Sequence, residues 1–392
     1  MSTWTLVCSA CAVTESGTAR VSVCPACGQP LLARYAVAAG STSTPRRDAI
    51  LPRWDMWRYA AALPLLDGEA PVSLGEGMTP LIDAPTLASA VGVGRLWVKD
   101  EAVNPTASFK ARGLSAAVTR ARGLGVPGVV VPTAGNAGAA LAAYAAAAGL
   151  PARVYAPAST PAPILATINA LGADLQLVDG HIGDAGKLAR AFAAESGYQD
   201  VSTLREPYRA EGNRTLGLEL AEQLGWRLPD VVVYPTGGGE GVIGMWKAFA
   251  EMREWGWLPA ESASPRIVVA QATGCAPLVR AFDAGADHAT PWEHPATHAS
   301  GLRVPGPLGD RLVLRAIRET NGLAAAASEA EIRGATRRLA LATGVDAAPE
   351  GGCALAVLAQ LVQTGRIAAD AEVVLFNTGS GASYRDGSAP LD

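Results

Sequence analysis

Residues 104–113 read Asn-Pro-Thr-Ala-Ser-Phe-Lys-Ala-Arg-Gly, and this stretch joins a short apolar run at 95–99 to a helical pattern at 110–124. The same strand, loop and helix order then recurs down the chain, so this one crossover sets the architecture. It also carries a residue that the rest of the sequence avoids. Lys and Arg together number 32, yet the lysines are only Lys99, Lys110, Lys187 and Lys247. A chain that relies on arginine for surface charge has another reason to keep an amine at position 110. Arginine stays protonated, whereas lysine can be tuned to a neutral amine that attacks carbonyls and forms Schiff bases. At a helix start the macrodipole disfavours the ammonium form, which helps to lower its pKa.

Working outward, the strands are expected at 95–99, 128–131, 153–156, 174–178, 230–234, 266–271 and 372–376. Helices are expected at 110–124, 138–148, 183–195, 214–223, 242–253, 275–284, 309–319, 328–343 and 352–363. The strands are continuous apolar runs with little alternation, as in parallel sheets covered on both faces. The fold class is therefore α/β, and its ligands belong at the carboxyl ends of the strands.

The 392 residues are 49% apolar and 17% charged, which describes a globular chain with a large core and room for two or three units. A net charge of −4 gives no basic field for nucleic acid or a membrane surface. The N-terminal Met-Ser-Thr-Trp-Thr-Leu lacks the blocks of a signal peptide, and the alanine-rich run 137–148 is too short to span a bilayer. These features predict a cytoplasmic protein with a small-molecule substrate.

Cys8-Ser-Ala-Cys11 and Cys24-Pro-Ala-Cys27 are two knuckles separated by twelve residues. Each puts two thiolates on one tight turn, so Cys8, Cys11, Cys24 and Cys27 offer a closed tetrahedral site for a structural Zn²⁺. Cys275 and Cys353 lie in apolar surroundings and read as core residues. The domain plan is a zinc ribbon at 1–36, with 40–47 reading as a linker. A linker, an arm and the start of a large domain follow over 37–109. A small mobile domain spans 110–204 and a large domain 205–392.

Besides the Lys110 loop, three others carry chemistry. Thr133-Ala-Gly-Asn-Ala137 follows the strand at 128–131, and its small residues let backbone N–H groups bind a carboxylate. Asn136 adds an amide for a ring oxygen. Thr236-Gly-Gly-Gly-Glu-Gly241 follows the strand at 230–234 and opens a helix, a ready phosphate cradle. It contains a formal dinucleotide fingerprint, but the next strand ends in Gln271 rather than an acid for a ribose. Asn377-Thr-Gly-Ser-Gly381 closes the last strand. An amine, an asparagine turn and a phosphate cradle fit pyridoxal 5′-phosphate, which needs an amine for its aldehyde and N–H groups for its phosphate. A hydroxyl, not a carboxylate, at its pyridine nitrogen favours elimination and replacement over transamination.

With Gly75-Glu-Gly-Met-Thr-Pro-Leu81, Leu96-Trp-Val-Lys-Asp-Glu101 and Ile243-Gly-Met-Trp-Lys-Ala-Phe249, these motifs stand in an order that resembles the threonine synthase family. That family belongs to the fold-type II pyridoxal-phosphate enzymes, which are tryptophan synthase β-like, and the resemblance covers about residues 70–384. It implies two parallel-sheet-based domains, a homodimer, and conversion of O-phosphohomoserine and water to threonine and phosphate.

By position, Lys110 resembles the lysine that binds the cofactor's aldehyde, and Phe109 a neighbour of its ring. Asn136 is similar to the ligand of the phenolic oxygen. Gly237, Gly238, Gly239 and Gly241 resemble the phosphate cradle, and Thr378 the partner of the pyridine nitrogen. Thr133, Ala134, Gly135 and Ala137 resemble the loop for the substrate carboxylate, and Arg209 the arginine that grips the substrate phosphate.

The chain departs from the family pattern at Ala107, Ala111 and Ala137, and at Thr203-Leu-Arg-Glu206 before Pro207-Tyr-Arg209. Glu206 and Glu240 add negative charge near the expected phosphate. Arg205 and Arg209 both stand ready for an anionic substrate. The alternative is β-elimination or β-replacement on serine, threonine or O-phosphoserine, and a non-catalytic zinc-ribbon module is a reading from another class.

Overall fold

The computed structural model describes residues 4–35 and 44–385, so residues 40–43 of the 40–47 linker lie outside the described residues. The described chain opens with an antiparallel ribbon of β1 (Trp4–Cys8), β2 (Thr14–Ser16) and β3 (Leu31–Tyr35), ordered β2-β1-β3. Alternation along β1 buries Trp4, Leu6 and Cys8, which pack with Tyr35 and with Tyr208 far along the chain.

Next come β4 (Leu81–Asp83), α1 (Pro85–Val91), β5 (Arg95–Asp100) and α2 (Lys110–Gly123). A compact run follows with β6 (Val129–Pro132), α3 (Asn136–Ala148), β7 (Ala152–Pro157), α4 (Ala162–Ala170), β8 (Asp174–Val178), α5 (Ile182–Ser196) and β9 (Gln199–Asp200). The chain continues through α6 (Tyr208–Gln223), β10 (Val231–Pro235), α7 (Glu240–Glu254), β11 (Arg266–Ala272) and α8 (Pro277–Asp283). It closes with α9 (Asp310–Glu319), β12 (Leu323–Ala327), α10 (Glu329–Thr343), α11 (Pro349–Gln363) and β13 (Glu372–Asn377).

Two sheets result. Strands β8-β7-β6-β9 form a parallel sheet of four. Strands β12-β11-β10-β13-β5-β4 form a sheet of six, parallel except where β4 runs against β5. The apolar run of β10 is explained by its two faces. Val231 and Val233 pack into the core beneath α1, α10 and α11, while Val232 and Tyr234 pack into the core beneath α6, α7 and α9. With both faces covered, every position of the strand is buried and alternation disappears from the sequence.

Several elements differ from the expectation. Helix α6 begins at Tyr208 rather than 214, because its first two turns bury Arg209, Glu211, Asn213 and Arg214 and so show no apolar stripe. Strand β12 is absent from the sequence expectation, since Leu-Ala-Ala-Ala-Ala has low strand propensity and is held in place by pairing with β11. Helices α1 and α4 were also missed, and each carries a proline in its first turn.

The start of α2 is anchored by a buried ionic cluster. Arg112 donates from Nε to Glu101 at 2.7 Å and from Nη1 to Glu219 on α6 at 2.8 Å. Lys99 on β5 joins the same Glu219 at 2.5 Å, and all four side chains are shut off from solvent. The Arg112 charge holds the Glu219 carboxyl far below its usual range against the cost of burial. Two residues before this anchor, Lys110 is fixed at the helix start.

Candidate active site

The loops at the carboxyl ends of β6, β10 and β13, and the one leading from β5 into α2, line a single cavity of about 260 Å³. Phe109, Lys110, residues 132–137, residues 235–241 and Thr378 all border it. The amine, the asparagine turn and the glycine loop expected from the sequence therefore share a common space. Phe109 N–H donates to the Thr378 carbonyl at 3.1 Å, which ties the lysine loop directly to the last strand. The Phe109 ring stands edge-on to Tyr234, 5.9 Å between centroids.

Lys110 Nζ lies 4.4 Å from the Phe109 ring centroid and 3.5 Å from Glu240 Oε2, its one ion pair among the described residues. Burial pushes its pKa down to about 8. The Glu240 charge opposes that fall and the Arg209 charge adds to it. A fraction of the amine is thus neutral near physiological pH, as a carbonyl nucleophile requires.

The glycine loop is sterically closed to any side chain. A Cβ on Gly237 would stand 2.2 Å from the Gly301 carbonyl oxygen, and one on Gly241 would stand 2.2 Å from the Tyr234 hydroxyl. Gly239 adopts φ +89°, and a Cβ there would strike Val313 at 2.4 Å. The loop leads into α7, whose first N–H groups have no intrahelical acceptors. Tyr234, buried beside this loop, has a hydroxyl with no hydrogen-bond partner among the described residues. A cradle of amides at a fifteen-residue helix start, with a spare hydroxyl alongside, suits a phosphate group.

The second loop is shaped from within. Gly135 takes φ +142°, and Thr133 Oγ1 accepts from the N–H groups of Gly135 and Gly138 at 2.9 and 3.0 Å. The Thr133 hydroxyl therefore braces the turn while Ala134, Gly135, Asn136 and Ala137 face the cavity.

Arg209 does not line the cavity as expected. It lies behind Glu240, 1% exposed, donating from Nη2 to Glu240 Oε2 at 2.7 Å and from Nη1 to the Val201 carbonyl at 2.8 Å. Glu240 does face the cavity, while Glu206 turns away to accept from Tyr208 and Arg209 N–H at 2.8 and 2.7 Å. Burial pushes the Glu206 carboxyl up to about 8.

Several lining residues are not read from the sequence: Glu350, residues 300–302 and 304–308, and Arg190 on α5. Only the Gly/Pro-rich spacing of Gly301-Leu-Arg-Val-Pro-Gly-Pro307 signalled a functional loop. Glu350 Oε1 accepts from Gly301 N–H at 2.8 Å and from Tyr384, so it holds that segment against the cavity.

In the ribbon, the four sulfurs of Cys8, Cys11, Cys24 and Cys27 lie within 4.8 Å of one another. The pairs Cys8–Cys27 and Cys11–Cys24 are 3.4 and 3.6 Å apart. Zinc–sulfur bonds of about 2.3 Å put tetrahedral sulfurs about 3.8 Å apart, so this cluster has the dimensions of a metal site. N–H groups of Ala10 and Cys11 also point at the Cys8 sulfur.

Fold and cavity together define a class of enzyme: an α/β scaffold with a tuned amine facing an anion cradle. Comparison with known proteins agrees. A family model described as "Pyridoxal-phosphate dependent enzyme" matches residues 72–379. The threonine synthase of Methanosarcina acetivorans is 37% identical over 326 residues, 83% of this chain and 79% of that one. The threonine synthase of Synechocystis sp. is 34% identical over 358 residues, 89% of this chain and 90% of that one. Among solved structures, a threonine deaminase from T.th. is similar with a TM-score of 0.64 at 25% identity, covering 80% of this chain and 94% of that one. Maize serine racemase shares the fold, with a TM-score of 0.67 at 23% identity over 77% of this chain and 88% of that one. The chain belongs to the threonine synthase family of pyridoxal-phosphate-dependent enzymes, and it is a lyase of that kind. No helix among the described residues is long and apolar enough to cross a membrane.

Proposed function

We propose that the protein converts O-phosphohomoserine and water to threonine and inorganic phosphate. The observation that carries this is Lys110, a half-buried amine tuned to about 8, facing one cavity with the glycine cradle and the 133–137 loop. Relatives with 34–37% identity over most of the chain are threonine synthases, which supports the same reaction.

The residues divide the work as follows. Lys110 would supply the amine for the cofactor's aldehyde. Backbone N–H groups of 237–241 would hold its phosphate, Asn136 would serve its phenolic oxygen, Phe109 would flank its ring and the Thr378 hydroxyl would serve its pyridine nitrogen. When bound, the cofactor supplies an electron sink for carbanions at the substrate's Cα. The 133–137 loop binds the substrate carboxylate through its amides. The neutral Lys110 amine takes protons from Cα and Cβ and delivers protons to Cγ and back to Cα. Phosphate leaves Cγ with the bonding electron pair, a proton takes its place, and the oxygen of water bonds to Cβ while the proton that water gives up passes to the departing phosphate.

A second reading has an observation behind it. Glu240 faces the cavity and engages Arg209, which leaves a space as well suited to an uncharged side chain such as that of serine or threonine. β-Elimination there would release pyruvate or 2-oxobutyrate. Product analysis separates the two. Equimolar threonine and phosphate from O-phosphohomoserine support the synthase, and oxo acids from serine or threonine with no turnover of O-phosphohomoserine overturn it.

The remaining assignments belong to the same proposal. Residues 110–204 act as a smaller unit that closes over the large one, two copies form a homodimer, and the protein works in the cytoplasm. The ribbon cysteines hold one structural Zn²⁺, which metal analysis of the native protein and of Cys8→Ser would test.

A further inference from the structure

We infer that Arg190 and Arg205 form the subsite for the anionic end of the substrate's side chain, in place of Arg209. This inference rests on the reaction proposed above and gives its substrate specificity a physical origin. Arg209 is already committed: its two terminal nitrogens serve Glu240 and the Val201 carbonyl, and it does not line the cavity. Arg190 and Arg205 are its opposites. Both line the cavity that holds Lys110, and neither makes a side-chain hydrogen bond or ion pair with another described residue.

The fold aims each of them inward. On α5, Ile182, Gly186 and Arg190 follow one another at four-residue intervals, which places them on one helix face. Ile182 and Gly186 border the cavity too, so that face is the one turned toward it. A long helical side chain leans back over the preceding turn, toward the helix N-terminus. Arg190 does so, with Nη1 only 3.2 Å from where a Cβ on Gly186 would be. The glycine therefore leaves the groove along which this guanidinium reaches the cavity.

Arg205 arrives from the segment after β9, and the zinc-ribbon module fixes its backbone. Ser22 Oγ donates to the Arg205 carbonyl at 2.5 Å, and Arg20 Nε donates to Gln199 at 3.1 Å. Partial burial and the nearby Arg190 charge both disfavour the Arg205 cation, against a pull from Asp200. Asp200 makes no ion pair with Arg205, and its Oδ1 accepts from Ser202 N–H and hydroxyl.

Two like charges with no ion-pair partner among the described residues, facing one cavity, repel each other until an anion sits between them. Each guanidinium offers five N–H donors in a planar fork that matches a tetrahedral phosphate oxyanion. The cradle at 237–241 is taken by the cofactor's own phosphate and the 133–137 loop by the α-carboxylate. What is left for the arginine pair is a second anionic group on the substrate, and two guanidiniums fit a phosphate monoester dianion.

The test uses cofactor-loaded protein, calorimetric titration with inorganic phosphate, and steady-state kinetics with O-phosphohomoserine. Arg190→Gln and Arg205→Gln are each expected to weaken phosphate binding about 10-fold and to raise KM similarly, with a smaller effect on kcat. Gly186→Val, which displaces Arg190 without removing a charge, is expected to act in the same direction. Unaltered cofactor absorbance and circular dichroism show that the variants have folded.

Wild-type phosphate affinity in the Arg190→Gln/Arg205→Gln protein, with threonine still formed, overturns the subsite and leaves the proposed reaction standing. Weakened phosphate binding in those variants, from a wild-type protein that makes no threonine, overturns the reaction and leaves the subsite standing. Tighter binding of glutamate than of O-phosphohomoserine, abolished by the same substitutions, overturns the phosphate assignment in favour of a carboxylate.

Discussion

Lys99 and Lys110 are eleven residues apart in one strand-loop-helix unit, both are withdrawn from bulk water, and they play opposite parts. Lys99 gives its three N–H bonds to the Thr79 carbonyl, Glu219 and Gln223 at 2.6, 2.5 and 2.8 Å. Lys110 has one ion pair among the described residues, stretched to 3.5 Å. Burial lowers the pKa of both amines, so desolvation does not distinguish the structural lysine from the reactive one. Saturation does. An ammonium with every proton placed is a strut, whereas one with spare protons beside a cavity is available for chemistry.

The largest effect is expected from Lys110→Ala, with activity falling by at least about 10³-fold and the visible absorbance of bound cofactor disappearing. Retained circular dichroism would show that the loss is chemical. A variant that keeps both the absorbance and the activity would erase the contrast between the two lysines.

Arg112→Ala tests the strut side of the comparison. It strands Glu101 and Glu219 without their shared cation and is expected to cost about 3–5 kcal/mol in denaturant unfolding. Lys99→Met should cost less, about 1–3 kcal/mol, because Glu219 keeps both of its bonds to Arg112. Equal losses would mean that the cluster does not act through Arg112.

Glu240→Gln has the smallest expected effect and the most specific one. In the cofactor-free protein, the rate of cofactor uptake should rise as the Lys110 ammonium loses its proton near pH 8. Glu240 holds that value up, so its removal should move the rise to lower pH. The same titration affects stability with a fixed sign. An unfolded lysine keeps its proton to about 10.5, so the unfolded chain binds more protons between pH 8 and 10.5. The Lys110 contribution to stability therefore improves as pH rises through that window, and Lys110→Ala should lose this slope. A rise in uptake that stays in place in Glu240→Gln would remove Glu240 from the control of Lys110.

The legible parts of the molecule were those written in consecutive residues. The strands at β5, β6, β7, β8, β10, β11 and β13 announced themselves as apolar runs, and Lys110 and the glycine loop as local patterns. Residues 237–241 could be read because steric exclusion leaves glycine as the one solution at several adjacent positions. Arg190 could not, because an arginine on an amphipathic helix looks solvated until the fold turns its face to a cavity. The partner of Arg209 was equally hidden. Glu240 lies 31 residues away, and only the packing of α6 against α7 brings the two charges together. Glu350 belongs to the same class, a buried acid whose bonds to Gly301 and Tyr384 bridge 49 and 34 residues.

The burial of the lysines has a practical consequence. Of the four side-chain amines, those of Lys99 and Lys247 are 0% and 6% exposed, and both are held in ion pairs. Lys187 is 73% exposed, and Lys110 at 20% opens only onto the cavity. An amine-directed reagent therefore meets few lysine targets on this protein: Lys187 and the floor of the cavity. Reductive tagging with a small aldehyde, followed by peptide mass mapping, would report directly on whether that floor is covered. Lys187 serves as an internal standard in the same sample, so the occupancy of this cavity can be counted without an activity assay.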